Sequence, residues 1–298
     1  EMCIRDRENP NYFSLVSGVT AGVVIGNIAW GLGYFGQPHV IVRFMALRKP
    51  SDARQGRFYG VTWMGLSVLG AIFVALSATV FFTQNDYSIT DQENYETVFL
   101  DMAQVMFHPL PAGLVLTAVL AAIMSTMSSQ LLVVASSLIE DLWKIFSKKN
   151  LSEGLLINLS RTAVVAVAVV AALLAINPSD SILGLVGFAW AGFGAAFGPL
   201  VLLSLYWKRL NSTGAIAGMI VGAVTTIIWG NVPALTETIY EIVPGFALSL
   251  LVTVVVSLAT KQPPKEVQDE FAQVEDLVKI VSKDDEMAFE DAAKQVKD

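Results

Sequence analysis

Trp30-Gly31-Leu32-Gly33-Tyr34-Phe35-Gly36-Gln37-Pro38 lies inside a long apolar stretch, residues 15–46. Three glycines within six residues weaken a helix, and proline removes a backbone donor. Pro38 suits the first turn of a restarted helix, where its missing N–H costs nothing. The stretch therefore predicts a helix, a break and a second helix. Such a break leaves amides and carbonyls unpaired. Hydrocarbon tolerates them only where the segment lines a cavity or binds something. Interrupted helices of this kind hold substrates and ions in transporters. A kinked helix that packs closely through its glycines explains the composition equally well.

Trp30, Tyr34 and Pro38 are spaced i, i+4, i+8. Where helical order persists they share a face. They form either a pocket wall with one hydroxyl or ordinary core packing. His39 and Arg43 repeat the spacing beyond the break, and Arg43 can reach the membrane interface.

Composition sets the environment. Of 298 residues, 54% are hydrophobic and 15% charged, and the mean hydropathy is +0.59. A soluble protein carries roughly 25% charged residues. A soluble globule of this length could not bury so much apolar surface. The chain is expected to be an all-α integral membrane protein embedded in a lipid bilayer. A soluble enzyme, a nucleic-acid binder and a disulfide scaffold are excluded. Most of the net charge of −7 comes from residues 262–298, which hold eleven acids and five lysines.

A helix needs about 20 mostly apolar residues to cross a bilayer. Seven segments qualify: 15–46, 58–83, 111–146, 154–176, 181–207, 213–230 and 243–260. No alternating ten-residue pattern suggests a β-barrel. Arg43, Arg48, Lys49, Arg54 and Arg57 follow the first span. Lys144, Lys148, Lys149 and Arg161 follow the third, Lys208 and Arg209 the fifth, and Lys261 the last. Loops 84–110, 177–180 and 231–242 have no Lys or Arg. The alternation places the start of the first span outside and the C-terminus in the cytoplasm. Val98, Met102, Val105 and Met106 predict a short helix in the outer loop. Residues 265–282 read as an amphipathic cytoplasmic helix, with Val267, Phe271, Val274, Val278 and Val281 on one side.

The third span carries a second polar feature, Ala122-Ile123-Met124-Ser125-Thr126-Met127-Ser128-Ser129-Gln130. Four hydroxyls and an amide interrupt an apolar helix. A hard cation such as Na⁺ prefers oxygen ligands. Ser125, Thr126 and the Ala122 carbonyl could supply three, with at least two more from elsewhere. The alternative is that each hydroxyl bonds a carbonyl of its own helix or joins two helices. No carboxylate lies deep in a span, which argues against a proton relay. His39 and His108 are far apart, and no catalytic grouping appears, so no enzyme is expected. Gly194 and Gly198 form one small-residue face, and Gly214, Gly218 and Gly222 another; both read as close helix packing. Gly198-Pro199 could also flex.

These residues resemble the solute:sodium symporter family, from about Tyr12 to Phe271. The most specific stretches are Trp30 to His39, Ala121 to Leu132 and Ala189 to Pro199. The first is similar to the proline-transporting branch. The resemblance implies a core of inverted five-plus-five helix repeats. Spans one to five match the second repeat, and spans six and seven the extra C-terminal helices. It implies Na⁺-coupled symport of L-proline across the bacterial cytoplasmic membrane. Trp30, Tyr34 and Pro38 match the substrate positions, and Ala122, Ser125 and Thr126 match a sodium site. Ser128 and Ser129 could touch a second sodium; in proline carriers a cysteine can stand at the second of these positions. The remaining ligands are expected from an N-terminal half, a partner missing from this chain.

The charged opening, residues 1–7, reads as a non-native leader, which would include Cys3. Residues 8–260 read as the transmembrane domain and 261–298 as the acidic cytoplasmic tail. On this reading the chain alone does not transport. Two alternatives stay open: a Na⁺-coupled carrier of another small organic solute, and a seven-helix receptor. The receptor fits the interrupted first helix badly, and there is no intramembrane lysine for a retinal Schiff base.

Overall fold

The computed structural model describes residues 19–85, 87, 89, 96–143, 153–176, 181–284 and 287–297. No β-strand occurs among them. The opening residues 1–18, Lys144, Lys148, Lys149 and loop 177–180 lie outside the described residues.

The expected break is present. Helix α1, Ala21–Ala29, starts at Thr20, whose hydroxyl accepts the Val23 N–H at 3.4 Å. The chain then tightens into a 3₁₀ helix over Trp30–Gly36. Gln37 is extended, at φ −89° and ψ 111°, and Pro38 opens α2, Pro38–Met45. The break is therefore a tightened turn followed by one extended residue. None of these pieces alone is long enough to cross a membrane.

Six helices are long and apolar enough to do so. They correspond to α3 (Pro50–Gln84), α5 (Pro109–Ser136, its crossing stretch running on to Ile139), α6 (Glu153–Ala175), α7 (Ile182–Tyr206), α8 (Ser212–Gly230) and α10 (Ile242–Ala259). Between them lie α4 (Val98–Met106) and a short turn, α9 (Pro233–Thr236). The tail forms α11 (Lys265–Val281) and α12 (Phe289–Lys297). Both helices expected from periodicity, in the outer loop and the tail, are observed. The second span was expected from residue 58, whereas α3 starts at Pro50. Its first two turns carry Asp52, Arg54 and Arg57, which lower local hydropathy without opposing helix formation.

The helices form two compact units. The second comprises Val68–Ile182, where α4 and α6 pack on α5. The first combines the chain up to Ser67 with the chain from Leu183. Its main contact joins α8 to α10. Gly214, Gly218 and Gly222 are buried on one face of α8, opposite Ser249, Thr253 and Ser257 of α10. A Cβ at Gly218 would collide with Thr253 Oγ1 and lie 2.9 Å from the Ser249 carbonyl oxygen. The expected small-residue packing is thus observed.

Pro199 is fully buried within an unbroken α7. Lacking an N–H, it leaves the Ala195 carbonyl without its usual donor. A Cβ at Gly222 would strike that oxygen, so only glycine admits this approach.

The helix ends in this unit are joined by polar side chains. Asn211 caps α8 by accepting the Gly214 N–H at 2.8 Å. Its amide also donates to the carbonyls of Ser257 and Lys261 at 3.2 and 2.7 Å. Arg209 donates to the Thr260 carbonyl at 2.9 Å. The four last carbonyls of a helix need such partners. Phe289, at the start of α12, donates its N–H to the Arg48 carbonyl at 3.0 Å.

Candidate functional site

The first unit holds the interrupted helix against α7. A Cβ at Gly33 would collide with the Trp190 indole, and one at Gly36 with the Phe193 carbonyl. Gly31 faces open space. The glycines at 33 and 36 therefore serve close approach, and the packing explanation of this composition holds for them.

Trp190 fastens both edges of the break. Its indole N–H donates to the Trp30 carbonyl at 2.9 Å. Its own carbonyl accepts the Gln37 side-chain amide at 3.3 Å. Gln37 is only 4% exposed, and a buried amide is costly without a partner. One backbone carbonyl and one buried side-chain amide at the break are thus answered from α7.

The rings form a cluster around the same residue. Trp30 stacks on Trp190 with centroids 5.6 Å apart, and on Tyr240 at 5.9 Å. Tyr34 meets Trp190 edge-on at 4.8 Å. Tyr240 is held by its hydroxyl, which donates to the Gly187 carbonyl at 2.6 Å. Trp30 and Tyr34 do come together, although not by α-helical spacing, because a 3₁₀ turn has three residues per turn. Pro38 stands beyond the extended Gln37 and is exposed, so α-helical spacing does not carry the face of Trp30 and Tyr34 on to it. Tyr34 is 47% exposed. The result is an aromatic wall with one accessible phenol.

A cavity of about 270 Å³ adjoins Trp30, lined also by Asn27, Glu237, Tyr240 and Glu241. Burial pushes the Glu241 carboxyl above its ordinary range, while its own backbone amide opposes the shift. The Tyr240 phenol is also raised, by burial and then by the Glu241 charge. Trp190, Gln37 and Tyr240 were not singled out from sequence. Gln37 and Trp190 are marked only as an amide and an aromatic ring in largely apolar stretches, and Tyr240 only as an aromatic ring beside Glu241.

The second unit presents the hydroxyl cluster. Ser125 and Thr126 both donate to the Ala122 carbonyl, at 2.8 and 3.4 Å. Ser128 and Ser129 donate to the Ser125 carbonyl, at 3.1 and 2.8 Å. The within-helix bonding weighed above is present. It also gathers the oxygens of Ala122, Ser125 and Thr126. A hydroxyl that donates its proton keeps its lone pairs for a cation. Among the described residues no group of three His, Cys, Asp or Glu could hold a metal. The cluster offers uncharged oxygens, which fit a hard monovalent cation better than a transition metal.

Six crossing-length helices, an interrupted helix and an oxygen-rich turn define a multi-pass membrane protein. The model of the sodium:solute symporter family matches residues 9–222. The chain belongs to that family. It is 47% identical over 268 residues to the high-affinity proline transporter PutP of Bacillus subtilis, covering 90% of this chain and 56% of the relative. It is 45% identical over 275 residues to the osmoregulated proline transporter OpuE of the same organism, covering 92% and 55%. It is 46% identical over 279 residues to sodium/proline symporter 2 of Staphylococcus saprophyticus, covering 91% and 54%. The chain spans about half the length of these curated relatives. No solved structure matches it at a significant level.

Proposed function

We propose that the chain contributes to Na⁺-coupled symport of L-proline across a bacterial cytoplasmic membrane. The observation that carries this is the convergence of Trp30 and Tyr34 on Trp190 at a helix break. The names of the relatives support the solute and the coupling ion.

In this reading Trp30 and Tyr34 provide an apolar wall and a hydroxyl for the solute, with Pro38 ending the break beside them. Ser125, Thr126 and the Ala122 carbonyl bind Na⁺, and Ser128 and Ser129 are weaker candidates for a second ion. The other ligands belong to the length that the relatives have beyond the matched region. The interrupted helix counts as a seventh span. Five spans then make the second inverted repeat of a five-plus-five core, and two C-terminal helices follow. Residues 8–260 form the transmembrane part and 261–298 a cytoplasmic tail. The distribution of Lys and Arg supports this orientation.

Coupling requires that Na⁺ and solute favour the same conformation, and the effect is reciprocal. Radiolabelled L-proline uptake into proteoliposomes by the complete symporter tests the reading. Uptake should require a Na⁺ gradient. Absence of Na⁺-dependent uptake of any amino acid overturns it.

A further inference from the structure

A groove of about 760 Å³ lies where α2 ends and α3 begins, away from the aromatic cluster. Arg43, Arg54 and Arg57 line it together with Phe44, Leu47 and Asp52. The three cations outnumber the one acid. Among the described residues neither Arg43 nor Arg57 has a hydrogen-bond or ion-pair partner. Helix α12, whose two acids are matched by two lysines, begins nearby through the bond from Phe289 to the Arg48 carbonyl, and its Asp291 pairs with Lys294. The groove also faces the N-terminus of the 35-residue α3, where the helix dipole favours an anion.

The surface next to the groove is apolar. Phe44, Phe58 and Tyr59 are 64%, 67% and 70% exposed. Within Pro50–Phe82 only 6% of the most apolar window is buried by protein. Cations thus stand directly beside a face suited to acyl chains, on the side where Lys and Arg are concentrated. A soluble anion would use only the arginines. An anionic phospholipid matches both parts, its phosphodiester meeting the guanidinium forks and its chains the aromatic face.

We propose that this groove is a binding site for the headgroup of an anionic phospholipid in the cytoplasmic leaflet.

The test uses the full chain in phosphatidylcholine nanodiscs containing phosphatidylglycerol, with retained lipid counted by native mass spectrometry. The parent chain should retain phosphatidylglycerol in preference to phosphatidylcholine. Arg43→Gln with Arg57→Gln should weaken retention by roughly 30-fold, at about fivefold per basic side chain near the membrane surface. Lys208→Gln with Lys261→Gln removes two cations outside the groove and should leave it unchanged. Equal loss in both double variants would mean only a general basic surface and would overturn the site, as would no loss in the arginine variant. Displacement by glycerol 3-phosphate as effective as by phosphatidylglycerol would overturn the lipid assignment. Circular dichroism and melting establish that each variant folds. Should the glutamine variant not fold, Arg43→Lys with Arg57→Lys keeps the charge and should show an intermediate loss. Undiminished retention there would overturn the fork-to-phosphodiester contact.

Discussion

Trp190 donates its indole N–H to the carbonyl of Trp30, 160 residues earlier, and the two rings stack 5.6 Å apart. One side chain therefore serves the backbone at the break and also shapes the aromatic wall. Replacing Trp190 with Phe keeps much of the ring and removes the donor. Leaving a part-buried carbonyl unsatisfied costs about 1–3 kcal/mol. Thermal unfolding of Trp190→Phe in detergent should show this loss. In the complete symporter the apparent affinity for proline should fall as well, because Tyr34 rests on the same ring.

The glycines of α8 and α3 should respond in opposite directions. Gly218→Ala places a methyl against Thr253 Oγ1 and the Ser249 carbonyl, so α8 and α10 must separate. Overpacking of this kind costs about 1–3 kcal/mol. Gly65 lies in α3 with nothing within 4 Å of an added Cβ. There Gly→Ala should stabilise by about 0.5–1 kcal/mol through helix propensity. Melting temperatures of the two variants should therefore move apart, and equal shifts would contradict the packing described.

Much of this was legible beforehand, and what was not has a physical reason. Gly31, Gly33, Gly36 and Pro38 announced the break because they act on their own backbone. The period of Val98, Met102 and Met106 announced α4 in the same local way. The distinction between Gly31, which faces open space, and Gly33, which touches Trp190, depends on a residue far along the chain. The stack of Trp30 on Tyr240 depends on another. Hydropathy hid the first turns of α3 because Arg54 and Arg57 form helix readily while lowering the mean. The oxygens of Ala122, Ser125 and Thr126 lie within one turn of one helix, so their grouping could be read directly from spacing.

Glu241 gives a pH dependence with a definite sign. It is 8% exposed, and burial raises its carboxyl above the ordinary 4.5. In the window from that value up to the raised one, the folded state holds more proton than the unfolded state. Stability must then fall as pH rises through the window. Below it both states are protonated and this dependence vanishes. Glu241→Gln should flatten the slope and raise the melting temperature at neutral pH. Melting measured from about pH 4 to pH 8 checks both, since the ordinary carboxyl titrates near the lower end. An unchanged slope would mean that other groups govern the dependence.

Asn211 joins the start of α8 to the end of α10 through three hydrogen bonds donated by its amide, and its side-chain oxygen caps α8 through a fourth. Asn211→Ala leaves the Gly214 N–H and the Ser257 and Lys261 carbonyls without that partner. Loss of an N-cap alone costs about 0.5–2 kcal/mol. The added carbonyl losses should place this variant at or beyond the upper end. Asn211→Asp keeps the cap acceptor and loses the donors, so it should fall between Ala and the parent in a melting series.

Ser125 and Thr126 separate stability from ion binding. Their hydroxyls donate only to the Ala122 carbonyl of their own helix and are exposed. Such bonds contribute little to folding, so Ser125→Ala and Thr126→Ala should melt within about 0.5 kcal/mol of the parent. If their oxygens bind Na⁺, each loss removes a ligand from a charged ion. A hydrogen bond or ligand to a charged group is worth about 1.5–3 kcal/mol, which corresponds to roughly 10- to 150-fold in affinity. In the complete symporter the Na⁺ concentration for half-maximal proline uptake should rise by that factor. Ser125→Thr retains the oxygen and should recover most of the affinity. An unchanged Na⁺ requirement in both alanine variants would leave these hydroxyls with only the within-helix role. Because linkage is reciprocal, the same variants should weaken proline binding in the presence of Na⁺ and leave it unchanged in its absence.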